Sequence, residues 1–253
     1  MLRLEKVRVE FGGLVAVNDL DLEVSNGQIY SIIGPNGAGK TTVFNAISRL
    51  VKTTSGEILY NGENILNDKP HEIIHRGIAR SFQNTELFKN MTVMDNLLVG
   101  LHPLIKKKFF SNMLNLPSVR RSEKENRTKV HETMDLLQIT HLKDEVVKNL
   151  PFGFQKMVDI ARAMMANPQL LLLDEPVAGM NVAETKQINQ LLLRLKQDFD
   201  MTILLIEHDM SMVMDISDVV SVMNFGQKIC EGLPEEVRND PAVIEAYLGG
   251  EEE

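Results

Sequence analysis

Residues 34 to 42 read Gly34-Pro35-Asn36-Gly37-Ala38-Gly39-Lys40-Thr41-Thr42 and match G-x-x-x-x-G-K-[ST], the pattern of phosphate-binding P-loops. Before them, residues 28–33 form a short apolar run rich in β-branched side chains, which predicts a buried strand. After them, residues 42–47 can carry a helix. A strand, a glycine loop and a helix in this order are the context in which the pattern is meaningful, so the sequence predicts a nucleotide site.

The residue types of this loop suit a chain of phosphates. Glycine at Gly34, Gly37 and Gly39 lets the backbone curve so that several N–H groups point at one phosphate chain. The helix that begins near Lys40 adds its positive end, Lys40 reaches the β- and γ-phosphates, and the Thr41 hydroxyl holds Mg2+. A glycine-rich turn that binds nothing is the alternative, but such a turn has no need of the Lys-Thr pair. The residues expected to contact nucleotide here are Asn36, Gly37, Ala38, Gly39, Lys40, Thr41 and Thr42.

The composition argues against several classes of protein. A formal net charge of −8 over 253 residues disfavours a broad nucleic-acid surface, which needs a basic face. The single cysteine, Cys230, allows no internal disulfide and suits a reducing cytoplasm. The first residues lack the apolar region of a signal peptide, and no apolar run approaches the roughly 18 residues of a spanning helix. Any role at a membrane is therefore expected to come through a partner.

Two acidic residues follow the most apolar run of the chain. Residues 170–173 are four leucines, which predict a strand buried on both faces, as in the centre of a parallel sheet. Acids at the C-terminal end of such a strand lie where open α/β sheets bind ligands. We expect Asp174 to hold Mg2+ together with Thr41, and Glu175 to polarise a water molecule against the γ-phosphate.

A histidine follows the next buried strand. Residues 201–206 predict that strand, and Glu207-His208-Asp209 stands at its C-terminal end. A lone histidine is usually a surface or core residue, but the end of this strand is expected beside that of Asp174. His208 is therefore predicted to sense or position the γ-phosphate.

The remaining segments read as strands at both ends and helices in the middle. Alternating apolar residues over 2–9 and 19–24 predict half-buried antiparallel strands, and Asn61-Gly62 predicts a tight turn after a strand over 56–60. Residues 91–150 are helical in pattern, with Thr92 as an N-cap. Further strands are predicted over 219–223 and 227–230, and further helices over 122–138, 181–195 and 241–248.

Three features stay open on residue type alone. Phe11 could stack on an adenine, but an isolated aromatic here is more often a core residue. Gln83, at the end of a short strand, reads by itself as a solvated loop glutamine. The basic segment 102–124 suits anionic lipid or a membrane partner, and equally a solvated insertion.

Taken in order, these motifs resemble the ATP-binding subunits of ABC transporters over nearly the whole chain. The resemblance makes residues 34–42 the Walker A loop, residues 170–175 the Walker B strand and His208 the switch histidine. It also implies that Phe11 stacks on adenine and that Gln83, in the Q-loop, contacts nucleotide and Mg2+. The other positions that it implies are Val17 at the nucleotide, Asn181 in the D-loop, and Pro151, Phe152, Gly153 and Phe154 in the signature that contacts a partner's nucleotide.

The resemblance implies a fold class and a division of the chain. The expected fold is an α/β P-loop NTPase core with a mostly parallel sheet, an N-terminal antiparallel β subdomain and an inserted α-helical subdomain. Within one ATP-binding domain over 1–253, residues 1–90 hold the β subdomain and P-loop core, 91–165 the helical subdomain, and 166–253 the rest of the core.

Several segments are most similar to the ATPases of branched-chain amino-acid importers. The segments are 11–17, 80–84, 91–99, 206–210, 246–249 and the long insertion at 102–124. The resemblance implies ATP and Mg2+ as cofactors, a second, unlike ATPase subunit (a homodimer being the other option), two permeases and an extracytoplasmic solute-binding protein. It places the chain at the cytoplasmic face of the inner membrane and implies no nucleic-acid partner.

Three other functions are weighed against this one. The ATPase of a lipopolysaccharide-type exporter is similar in its core and its ending, but its middle region is shorter. A soluble ATP switch acting on nucleic acid or ribosomes usually needs two such domains or a basic face. A GTPase is disfavoured because the chain has no N-K-x-D motif.

The signature departs from the L-S-G-G-Q of the family, since the chain reads Leu150-Pro151-Phe152-Gly153-Phe154. The family serine donates its hydroxyl to the γ-phosphate bound on the opposite subunit. Pro151 has neither that hydroxyl nor a backbone N–H, whereas Gly153 keeps its N–H. The expectation is that this chain's own half-site is competent, and that a nucleotide facing Pro151 on the partner is held more weakly.

Overall fold

The computed structural model describes residues 1–81, 86–104 and 117–248. The chain divides into two compact units, one of Met1–Gln83 with Gln169–Glu253 and one of Asn84–Pro168. The strands are β1 (Leu2–Phe11), β2 (Leu14–Val24), β3 (Ile29–Ile33), β4 (Ser55–Tyr60), β5 (Glu63–Asn64), β6 (Ile78–Ser81), β7 (Leu170–Asp174), β8 (Thr202–Ile206), β9 (Val219–Asn224) and β10 (Gln227–Gly232). The α-helices are α1 (Lys40–Ile47), α2 (Val93–Gly100), α3 (Pro117–Leu136), α4 (Phe152–Met164), α5 (Val182–Phe199), α6 (Met210–Ile216), α7 (Pro234–Arg238) and α8 (Pro241–Leu248).

The first unit contains two sheets. The smaller is antiparallel, in the order β2-β1-β4-β5, and its β4–β5 hairpin turns at Asn61-Gly62, where both residues have positive φ, as the Asn-Gly pair predicts. The larger has the order β10-β9-β3-β8-β7-β6, parallel throughout except for β10, which runs antiparallel to β9. The antiparallel strands at the start and the mostly parallel sheet confirm the predicted fold class.

The larger sheet is buried on both faces. On one face Leu172 and Leu204 belong to a core that also includes Phe44 from α1 and residues of the smaller sheet. On the other face Val222 packs in a second core with Val213 from α6. All five residues of β7 are buried, and β7 pairs in parallel with β6 and β8, which confirms the central strand predicted from the leucine run.

Helix capping, buried hydrogen bonds and a close helix contact stabilise the second unit. Thr92 caps α2 by accepting the N–H of Asp95 at 3.1 Å, as predicted. The fully buried Asn96 is satisfied by the backbone of Phe88 and by the Thr92 carbonyl. Gly100 lies so near α4 that a Cβ there would come within 2.6 Å of the Arg162 carbonyl oxygen. Side-chain volume at position 100 is therefore limited by the α2–α4 contact.

The predicted helices and strands are present with shifted ends. The strand predicted over 19–24 begins already at Leu14, because Gly12 and Gly13 turn it back to pair with β1. The helix predicted over 181–195 continues to Phe199 and ends at Asp200, which has a φ of +51°. Within the described residues, no helix combines the length and the apolar character needed to cross a membrane.

Candidate functional site

The P-loop follows β3 and leads into α1, and two of its glycines are required by close backbone contacts. Gly34 has a φ of +145° and Gly39 a φ of +97°. A Cβ at Gly34 would overlap the carbonyl oxygen of Met223, and one at Gly39 would overlap that of Ala16. Any other residue type here would push the loop away from β9 and β2, so the glycines fix its path.

Lys40 is folded back onto the loop that precedes it. Its Nζ donates to the carbonyl oxygens of Gly34 at 2.6 Å and Pro35 at 2.9 Å. Burial lowers the pKa of Lys40, and the nearby carboxylates of Glu175 and Asp174 oppose that shift. The ammonium is thus held inside the curve of the loop, where the P-loop lysine is expected to meet phosphate oxygens.

The loop borders a cavity of about 330 Å³ whose lining fits a phosphate chain. The first residues of α1 line this cavity, and Gly39, which precedes them, offers no side-chain cap for the first N–H groups of the helix. Such uncapped N–H groups bind anions, and phosphate is a natural acceptor for them. The lining residues are Leu14, Val15, Ala16, Asn36, Gly37, Ala38, Gly39, Lys40, Thr41, Thr42, Glu175, Phe225 and Gly226.

The carboxyl ends of β7 and β8 bring the predicted acid and histidine together. Asp174 is opposite Ile206 in the parallel pairing, so the residues that follow each strand lie side by side. The Nδ1 atom of His208 lies 3.9 Å from Oε1 of Glu175. The sequence placed both residues at strand ends, and the order of the strands in the sheet makes them neighbours.

A third carboxylate, Glu207, completes this group and was not predicted to have a role. It is fully buried and accepts backbone N–H groups from Val177 and His208, both at 3.1 Å. Burial raises its pKa, while these hydrogen bonds and His208 oppose the shift. Oε2 of Glu207 lies 3.8 Å from Nδ1 of His208. Glu207 therefore links the segment after Glu175 to the segment that carries His208.

The residues that could hold Mg2+ match the coordination preferences of that ion. Thr41 lines the cavity, and Asp174 is nearly buried, with its Oδ2 atom 2.8 Å from Nη2 of Arg80. Among the described residues there is no cluster of three or more His, Cys, Asp or Glu side chains able to hold a metal. A site of one carboxylate, one hydroxyl and the phosphates of a nucleotide suits Mg2+, which rarely occupies an all-protein cage.

Some predicted contacts lie elsewhere. Of the described residues that the sequence assigned to this chain's own nucleotide, Mg2+ or γ-phosphate, Phe11, Val17, Asp174 and His208 are not among those that line the cavity. Phe11 is half exposed at the end of β1, and the side chain of Val17 is fully buried in the core. Gln83 lies outside the described residues.

Leu14 and Phe225 line the cavity although the sequence did not point to them. Leu14 is paired with Phe11 across the Gly12-Gly13 turn, so the aromatic and the aliphatic side chain belong to one hairpin. Phe225 lies in the turn between β9 and β10 and has a φ of +45°, an uncommon conformation for an aromatic residue. The following glycine donates its N–H to the Ala38 carbonyl, which joins this turn to the P-loop.

The signature residues lie in the second unit at the start of α4. Pro151 is the N-cap and contributes no side-chain hydrogen bond, and Gln155 donates to the Leu150 carbonyl at 2.8 Å. The ring of Phe152 lies 5.7 Å from Nζ of Lys156. Gly153 is buried, and Phe154 makes an edge-to-face contact with His141.

Asn181 of the predicted D-loop is the N-cap of α5. Its side chain accepts the N–H groups of Ala183 and Glu184, and the Glu184 carboxylate accepts the N–H of Asn181 in return. This reciprocal pattern is a capping box. The residue therefore has a structural role within the chain, whatever it contacts in an assembly.

Comparison with known proteins agrees with this geometry. The profile of the ABC transporter family matches residues 17–178, and that of the branched-chain amino acid ATP-binding cassette transporters matches residues 227–253. The chain is 42% identical over 249 residues to the high-affinity branched-chain amino acid transport ATP-binding protein BraF of Pseudomonas aeruginosa, with 98% of each chain covered. The identity to LivG of Escherichia coli, which carries the same description, is also 42% at the same coverage.

Solved structures resemble the chain over its length. The ADP conformation of MJ1267, an ATP-binding cassette of an ABC transporter, superimposes with a TM-score of 0.87 at 34% identity and 98% coverage of both chains. A nucleotide-free ATP-binding cassette from an ABC transporter gives a TM-score of 0.86 at 35% identity and the same coverage. The P-loop cavity, the paired strand ends and these matches lead to one conclusion: the chain belongs to the ABC transporter family, as an ATP-binding subunit with ATPase activity.

Proposed function

We propose that this chain is the ATP-hydrolysing motor of an importer that takes up branched-chain amino acids or similar small solutes. The observation that carries the proposal is the match over 98% of the chain to named branched-chain amino acid transport ATP-binding proteins. The closeness of the Glu175 and His208 side chains at one sheet edge supports it. The transported solute would be chosen by other chains of the assembly, since this subunit need not touch it.

The proposed chemistry assigns each residue a task. Lys40 and the uncapped N–H groups of α1 bind and orient the β- and γ-phosphates. Thr41, Asp174 and Gln83 would hold Mg2+, which neutralises charge on the phosphate oxygens when bound. Glu175 accepts a proton from water as the water attacks the γ-phosphate, and His208 positions that phosphate.

Other residues are proposed to contact the adenine base and a second ATPase subunit. Phe11 and Val17 are assigned to the adenine side, as the family implies, with Leu14 and Phe225 as further candidates because they line the cavity. Pro151, Phe152, Gly153 and Phe154 would face the nucleotide of a second ATPase subunit, together with Asn181. Closure of the two ATPases on ATP would then drive two membrane permeases at the cytoplasmic face of the inner membrane.

The experiment that tests the importer is co-purification from native membranes through a tag on this chain. We expect two different hydrophobic permeases and a second, unlike ATPase, because importers of this kind are assembled in that way. A complex that contains this chain twice together with lipid-export components would instead favour the ATPase of a lipopolysaccharide-type exporter. Recovery of the chain alone, or on ribosomes, would refute the proposal that it drives an importer. It would not affect the proposed ATP site.

A further inference from the structure

Arg80 is a buried arginine that the proposed chemistry does not use. It is the third residue of β6 and pairs in parallel with Leu172 of β7. Its side chain is 9% exposed, and that of Asp174, two residues beyond Leu172, is 2% exposed. The two form an ion pair through Nη2 and Oδ2 at 2.8 Å.

The other side of the same guanidinium reaches the helix that follows the P-loop. Nη1 of Arg80 donates to Oδ1 of Asn45 at 2.8 Å and lies 3.4 Å from Oγ of Ser48. The guanidinium carbon lies 5.4 Å from the centre of the Phe44 ring, within the range of a cation–π contact. These three residues belong to α1 and its C-cap, so they move with the helix that starts at Lys40.

A buried carboxylate at this position needs such a partner. Removing a charge from water is costly, and the cost is offset only by a charge of opposite sign with good hydrogen-bond geometry. The planar fork of arginine can serve Asp174 with one nitrogen and Asn45 with the other at the same time. A lysine ammonium at the end of a flexible chain cannot reproduce both directions.

We propose that Arg80 is a positioning residue that orients the Asp174 carboxylate for Mg2+ and ties it to the P-loop helix, so that Mg2+ strengthens the binding of ATP. The proposal rests on the role of Asp174 as a Mg2+ ligand. Because one oxygen of Asp174 is held by Arg80, the plane of the carboxylate is set by β6 and α1 rather than by β7 alone. A shift of α1, which carries the P-loop lysine, is thereby passed through Arg80 to the Asp174 carboxylate.

The test compares Arg80→Lys with wild type in the purified full chain. Calorimetry measures the Kd of the non-hydrolysable ATP analogue adenylyl imidodiphosphate with Mg2+ and with EDTA, and the ratio of the two values is the readout. In wild type Mg2+ should tighten binding, and in Arg80→Lys that tightening should shrink by about tenfold, as for other groups that orient a metal ligand. The Kd in EDTA should stay within about twofold of wild type, because Lys40 and the loop backbone are intact.

Arg49→Lys is the matched control. Arg49 lies one residue after Ser48, and its Nη2 donates to the Leu66 carbonyl at 2.6 Å instead of to Asp174. The same chemical change there should leave the Mg2+ ratio at its wild-type value. A second variant, Asn45→Ala, keeps the Arg80–Asp174 pair but removes the shorter hydrogen bond from Arg80 to α1, and should lower the ratio partially.

The outcomes separate this inference from the proposed function. A wild-type ratio in Arg80→Lys, in protein that melts within a few degrees of wild type, would overturn the positioning role while leaving Asp174 as a ligand. A wild-type chain that binds the analogue equally with Mg2+ and EDTA would remove Asp174 from metal binding and the inference with it. An equal loss in Arg49→Lys would show a general effect of packing and would also overturn it.

Discussion

Glu175 has an unusual backbone conformation. Its φ is +48°, and its N–H donates to the carbonyl oxygen of Ile206 at 2.9 Å. A non-glycine residue in this region costs roughly 1–3 kcal/mol and persists where the surroundings impose it, often at functional sites. Here the conformation turns the chain sharply after β7 while keeping the carboxylate at the cavity and near His208.

At the scale of single residues, Glu175→Gln tests the catalytic role of this carboxylate. We expect ATP hydrolysis to fall by about two to four orders of magnitude, since a general base contributes that much to a rate. The affinity for ATP should change little, because the amide keeps the shape of the side chain. Phosphate release and equilibrium binding are the two measurements, with Glu23→Gln, at an exposed position of β2, as the control. Turnover at the wild-type rate would remove Glu175 from the role.

Glu207 shows how a residue outside the cavity can shape it. Its buried carboxylate accepts backbone N–H groups from Val177 and His208, which lie shortly after the ends of β7 and β8. A buried N–H group that loses its acceptor is costly, so these two hydrogen bonds hold the two segments to the Glu207 side chain. The distance between Glu175 and His208 therefore depends on Glu207, a residue to which the sequence analysis gave no role.

At the scale of elements, α5 begins with the capping box of Asn181 and Glu184. Asn181→Ala should lower the free energy of unfolding by about 1 kcal/mol, because two N–H groups of the first turn lose their acceptor. Asn181→Ser should retain most of the stability, since its hydroxyl can still cap. Urea denaturation of the isolated chain measures both. Equal stability of the alanine and wild-type proteins would mean that water replaces the cap without loss.

At the scale of the whole molecule, the signature of one subunit is expected to complete the nucleotide site of another. Pro151 begins α4 without a side-chain cap and cannot donate a hydrogen bond. Pro151→Ser adds the hydroxyl that the family uses and should raise ATP-dependent association of this chain with itself. Sedimentation velocity in a Glu175→Gln background, where ATP persists, measures the effect.

Two comparisons make the Pro151 experiment specific. Pro151→Ala changes the backbone in the same way but has no hydroxyl, so it should sediment like the parent protein. Serine is also a good N-cap and should stabilise α4 even without nucleotide, by about 0.5–1 kcal/mol. Only the ATP-dependent part of the shift therefore bears on the signature, and its absence would contradict the assignment.

Local patterns predicted much of this molecule. The P-loop, the central leucine strand, the Asn61-Gly62 turn and the Thr92 cap are each determined by neighbouring residues, so each could be read before any tertiary contact was known. The ends of elements were less accurate, because the Gly12-Gly13 hairpin and the continuation of α5 depend on what each segment packs against.

The chemistry proposed for the site could be predicted from the sequence alone, since the residue types at 34–42, 174, 175 and 208 have few other uses in that order. The tertiary structure decided which side chains surround them. Phe225 reaches the cavity, and Arg80 reaches Asp174 across 94 residues, because the strand order β10-β9-β3-β8-β7-β6 joins distant parts of the chain. Leu14 lines the same cavity from β2 of the smaller sheet. Strand order follows from burying many apolar faces at once, and no single segment carries that information.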